Sequence, residues 1–156
     1  MLRTRENGSS GHARIITQSV LTPILLVSGL VGAWIVASDG WLRAVAPSHA
    51  NGLLAFAVLD LVLAVAVLVV PRLAYIGAFL LSMIQVAAMA EDAFTFTPAG
   101  TLQSAFRAYL LGDTAFVALL GIQLAVAGIT ATAVAMPHGV RRRLHFEHAR
   151  HLKSPS

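Results

Sequence analysis

Asp60 sits near the middle of the apolar run from Leu53 to Val70, where a carboxylate has no water to hydrate it. A charged side chain at a bilayer centre costs about 2.5–3.5 kcal/mol even on a lenient insertion scale, so such a residue faces a protein interior or a cavity. Three other polar residues share its depth. Counting about 1.5 Å per residue from the ends of the apolar runs, Ser28, Asp60, Gln85 and Gln123 fall near one midplane, one from each run. If the runs pack as one bundle, the two glutamines can donate amide hydrogens to the Asp60 carboxyl. Two chemistries follow from such a layer. It can fasten the helices in register around a protonated, hydrogen-bonded acid, or it can form part of a proton or cation path, for which one acid makes a poor relay.

A second group of acids, Glu91, Asp92 and Asp113, stands at the ends of the apolar runs. Carboxylate oxygens suit a hard cation such as calcium, but that ion takes six to eight oxygens, and solvated helix ends are the simpler expectation. The six histidines (His12, His49, His138, His145, His148 and His151) all fall outside the apolar runs. An axial haem pair is therefore not expected. His145, His148 and His151 recur every three residues, a spacing that drifts around a helix and converges poorly on one metal. Arg141, Arg142 and Arg143, just before them, mark a basic segment suited to anionic headgroups. No phosphate loop, nucleophile elbow, paired catalytic acids or HExxH motif occurs. The absence of cysteine removes thiolate and iron–sulfur chemistry. No cofactor, metal or enzyme activity is expected.

The elements that must carry these residues are long and apolar. Of 156 residues, 57% are hydrophobic and 12% charged, and the mean hydropathy is +0.77. These values lie outside the range of ordinary soluble domains. A helix needs about 20 mostly apolar residues to cross the hydrocarbon core, and four segments qualify, at about 15–38, 52–70, 73–90 and 109–136. Pro71-Arg72 turns the chain tightly between the second and third, Asp39-Gly40 ends the first, and Pro137 with Gly139 closes the fourth. The expected organisation is a disordered tail over 1–13, a four-helix transmembrane domain over 14–137 and a basic juxtamembrane tail over 138–156. The first segment is longer than the usual apolar core of a signal peptide, so it reads as a retained anchor.

The net charge of +4 does not point to nucleic acid, because Lys and Arg cluster at the ends of the apolar runs. Arg3, Arg5, Arg14, Arg72, Arg141, Arg142, Arg143, Arg150 and Lys153 lie on one side, against Arg43 and Arg107 on the other. Nine against two places both termini in the cytoplasm of a multi-pass plasma-membrane protein. The aromatics Trp34, Trp41, Phe94, Phe96, Phe106 and Tyr109 gather at the opposite ends, as an interfacial belt does. Small residues recur at four-residue spacing at Ser28 and Gly32, at Ala74, Ala78 and Ser82, and at Gly121 and Ala125. Such stripes let helix backbones approach, either within the bundle or against another subunit.

The fold expected is an all-α, four-helix transmembrane bundle, up-down-up-down, with both termini cytoplasmic. The function expected first is a non-catalytic accessory subunit that packs against other membrane subunits, such as those of a respiratory or other energy-converting complex, and touches lipids, including anionic headgroups. The alternatives are a small proton- or ion-coupled transporter using Asp60, and a module binding quinone or lipid in a cleft walled by Trp34 or the other aromatics.

Overall fold

The computed structural model describes residues 6–94 and 102–151, with side chains for 15–94, 102 and 104–135. Six helices follow in order: α1 Glu6–Ser38, α2 Gly40–Val45, α3 Pro47–Val69, α4 Pro71–Phe94, α5 Leu102–Gly112 and α6 Thr114–His151. Four stretches within them are long and apolar enough to cross a membrane: Ile15–Ser38, Pro47–Val69, Pro71–Phe94 and Thr114–Ala135. These four helices form a ring in which α1 packs on α3 and α6, and α4 packs on α3 and α6. Sequence neighbours are thus spatial neighbours, as the short connections require.

Local chemistry sets the breaks. Asp39 ends α1 and caps α2, its Oδ1 accepting from the Leu42 amide at 2.9 Å. Pro47 opens α3, where its missing N–H leaves no bond unmade. Val70 closes α3 through its N–H to the Ala66 carbonyl at 2.8 Å, and Pro71 begins α4 at once, so the two form a hairpin with almost no loop. Asp113 repeats the Asp39 device, accepting from the Ala115 amide at 2.9 Å to start α6.

Several expected boundaries move. The last long apolar helix begins at Thr114, not Tyr109, because the Asp113 cap separates it from α5. Pro137 and Gly139 do not close it: α6 continues to His151, a single proline deleting one backbone hydrogen bond without ending the helix. Pro23 is accommodated in the same way inside α1. The second span begins at Pro47 instead of Gly52, and α1 reaches back to Glu6, into the tail expected to be disordered. Residues 1–5 and 152–156 of the two expected tails lie outside the described residues.

The interior has two apolar cores with a polar layer between them. Leu21, Leu25, Ala64, Val67, Ala74, Ala78 and Val126 fill the half nearer the termini, and Ile35, Leu42, Ala50, Met89, Leu110, Phe116 and Leu119 fill the other. The tightest contact joins α1 to α3. A Cβ at Gly32 would stand 3.2 Å from Ala57 Cβ, and one at Gly29 would stand 2.8 Å from the Ala57 carbonyl oxygen. Glycine at 29 permits an approach that no side chain could share, and at 32 one that a side chain could share only if its neighbour shifted. Ala74, Ala78 and Ser82 are likewise consumed inside the bundle, whereas Gly121 and Ala125 face outward.

Candidate functional site

Each ring helix contributes one side chain to the polar layer: Ser28 from α1, Asp60 from α3, Gln85 from α4 and Gln123 from α6. All four are at most 2% exposed. Asp60 Oδ2 accepts from Ser28 Oγ at 2.6 Å and from Gln123 Nε2 at 2.8 Å, while Oδ1 accepts from Gln85 Nε2 at 3.2 Å. The second amide hydrogen of Gln123 goes to Ser28 Oγ at 2.6 Å. The structure thus brings together the four residues that share a depth in the sequence, and the acid is their common acceptor. Gln123 Oε1 is the layer's one buried acceptor without a donor among the described residues.

Hydrogen bonds arranged in this way can fasten the helices in register. Three helices donate to the carboxyl of the fourth, so sliding any helix by one residue breaks a bond that no solvent can replace. Apolar cores lie above and below it, and none of its residues lines the cleft at the end away from the termini. A further tie, Gln18 Nε2 to the Val67 carbonyl at 2.8 Å, fixes α1 on α3 nearer the termini.

The bundle's open chemistry lies at the end away from the termini. There the end of α1, the starts of α3 and α6, the end of α4, and helices α2 and α5 surround a cavity of about 260 Å³, open on one side. Its floor is apolar, from Ile35, Leu42, Leu53, Met89 and Leu110. Phe56, Phe106, Tyr109 and Phe116 supply aromatic walls, and Ser48, His49, Asp92 and Asp113 the polar ones. The short helices position the aromatics: Trp41 of α2 packs on Tyr109 of α5 at 4.5 Å between centroids and stacks with Phe106 at 6.2 Å. Phe106 in turn meets the His49 ring at 4.8 Å. His49 Nε2 lies 3.2 Å from Asp92 Oδ1 across α3 and α4. Both partners are partly exposed, at 45% and 29%, so the pair adds at most about 1 kcal/mol to stability.

The acids read from the sequence are placed as follows. Asp92 and Asp113 both line the cleft, Asp113 also serving as the α6 cap, while Glu91 faces outward and does not line it. Among the described residues no three acids or histidines gather as a metal site. Trp34 turns away from the cleft at 63% exposure, as does Phe94 at 65%, and Phe96 lies outside the described residues. The side chains of Arg141, Arg142 and Arg143 also lie outside the described residues. His49 and Phe56 are cleft-lining residues that the sequence analysis does not single out. The available signal was Pro47: a helix starting there puts His49, Gly52, Leu53 and Phe56 on one face at three- and four-residue spacing.

No family model matches this chain, and no curated protein or solved structure is significantly similar to it.

Proposed function

We propose that this chain is a multi-pass plasma-membrane protein whose cleft, at the end away from the termini, binds a small molecule carrying an apolar ring. The observation that carries this reading is the 260 Å³ cavity walled by four aromatic side chains, with the Tyr109 hydroxyl, Ser48, His49, Asp92 and Asp113 as its polar side-chain groups. Ligand sites are mostly apolar concavities with a few placed polar groups. The volume falls between the roughly 150 Å³ that holds benzene and the roughly 300 Å³ where drug-sized sites begin, which suits one substituted ring. The excess of Lys and Arg at the termini and Arg72 supports cytoplasmic termini, so the cleft opens on the opposite face. In this reading the protein binds and does not catalyse.

Gly52 supplies the test. It lines the cleft on the face of His49 and Phe56, and a Cβ built there meets nothing within 4 Å. Gly52→Phe fills the cavity without a backbone clash and removes a helix-interior glycine, which is worth up to about 1 kcal/mol to the helix. Photo-crosslinking with a short-chain azidoquinone is expected to label His49, Phe56 or Tyr109 in the wild type and none of them in Gly52→Phe. Labelling that is spread evenly over lipid-facing residues and unchanged by the substitution would refute the site.

A second reading, an accessory subunit docked against other membrane subunits, draws on α6. Gly121, Ala125 and Gly128 stand along one exposed face, and Cβ atoms at both glycines meet nothing within 4 Å. The equivalent stripes on α1 and α4 are used up inside the bundle. Arg141, Arg142 and Arg143 would then meet anionic headgroups at the cytoplasmic end of the same helix. Gly121→Leu is expected to leave the isolated protein's melting temperature unchanged and to release any large membrane subunits that copurify in mild detergent. Copurification that survives the substitution would dismiss α6 as the docking face.

A further inference from the structure

Resting on the cleft being a ligand site, we infer that its ligand is an organic cation, an ammonium group carrying one apolar ring. The polar lining is one-sided. Asp92 and Asp113 present two carboxylates to the cavity, and among the described residues His49 is the only lining side chain able to carry positive charge. Whether His49 is neutral or protonated, the lining keeps a net negative charge. Arg43 and Arg107 belong to the neighbouring helices α2 and α5 and do not line the cavity. Residues 95–101, which connect α4 to α5, carry no charged side chain.

The aromatic walls point the same way. A ring face carries negative electrostatic potential, and cations rest against Tyr, Phe and Trp within about 6 Å of the centroid. Phe56, Phe106, Tyr109 and Phe116 supply such rings, and Trp41 holds Tyr109 and Phe106 in place from behind. An anion would meet two carboxylates and these same faces. A neutral ring compound finds the same aromatic walls, but among the described residues its uncharged donors are the Ser48 and Tyr109 hydroxyls alone, because His49 Nε2 is engaged with Asp92, so it binds more weakly than a cation. A cation needs no donor from the protein and finds acceptors and ring faces together.

The discriminating pair is benzyltrimethylammonium and its neutral carbon isostere neopentylbenzene, matched in shape and different in charge. Binding to the full-length protein in nanodiscs is read from saturable quenching of Trp41 emission in a Trp34→Phe background. The cation is expected to bind at least about tenfold more tightly than the isostere, and Asp113→Asn to reduce its affinity about tenfold. Asparagine preserves the α6 cap, so that variant folds. Equal affinity for the two compounds, both lost in Gly52→Phe, would overturn the charge preference and leave the ring-binding cleft standing. Failure of both to bind, together with failed azidoquinone labelling, would remove the cleft reading itself and this inference with it.

Discussion

Asp60→Leu is expected to lower the unfolding free energy by about 3 kcal/mol, and Asp60→Asn by about 1 kcal/mol or less. Leucine removes the acceptor shared by Ser28, Gln85 and Gln123, and each buried donor left unpaired costs about 1–3 kcal/mol. The lower end applies here, since interhelical hydrogen bonds in membranes average about 0.6 kcal/mol because the unfolded chain also finds partners. Asparagine keeps one carbonyl oxygen for Ser28 and Gln123. Its amide then faces Gln85, which meets it by turning its own amide over. Replacing Ser28 with Ala and Asp60, Gln85 and Gln123 with Leu together should recover most of the loss, because an apolar layer strands no polar group. Reversible unfolding in mixed micelles, followed by circular dichroism, measures all three. A large loss for Asp60→Asn, or none for Asp60→Leu, would show that hydrogen bonding to the carboxyl does not hold the layer.

Gly29 should be nearly as sensitive. An added Cβ would sit 2.7 Å from Leu61 Cγ and 2.8 Å from the Ala57 carbonyl oxygen. Leu61 could rotate away, but the carbonyl belongs to the α3 backbone, so α1 must move. Overpacking of this kind costs about 1–3 kcal/mol. The effect then compounds, because the adjacent Ser28 loses its 2.6 Å bond to Asp60 as the helices part. Gly29→Val is expected to destabilise by about 3 kcal/mol and Gly128→Val by well under 1 kcal/mol, since nothing lies within 4 Å of a Cβ at 128. Equal effects at the two positions would show that α1 and α3 tolerate separation. The same unfolding assay reads both.

Much of the scaffold was legible because its signal is crude and strong. A run of about 20 apolar residues has few outcomes other than a long helix, and depth along such a run follows from counting residues. That is why Ser28, Asp60, Gln85 and Gln123 could be placed at one level before any geometry was known. Their hydrogen bonds also needed each helix turned the right way about its axis, and all-apolar helices give little periodicity from which to read that. Caps are hard to read for a related reason. By type and position Asp113 reads as a possible cation ligand, and its work as the α6 N-cap is visible only with the α5–α6 break. Pro137 reads as a helix end, yet one missing N–H does not stop α6.

The cleft was the least legible part, because five of the six helices and the end of α1 build it from residues far apart in sequence. In the sequence His49 lies outside the apolar runs, Tyr109 reads as the start of the fourth span although it belongs to the separate α5, and Trp34 reads as a cleft wall although it does not line the cavity. Pairings such as Trp41 with Tyr109, and His49 with Asp92, arise from tertiary packing, which no local pattern announces.

The most direct test of the division of labour between layer and cleft is one set of benzyltrimethylammonium and azidoquinone binding curves for wild type, Asp60→Asn and Gly52→Phe in nanodiscs. If the layer fastens and the cleft binds, Asp60→Asn superimposes on the wild type and Gly52→Phe binds neither probe. Binding lost in Asp60→Asn and retained in Gly52→Phe would place the functional site at the midplane and contradict this assignment.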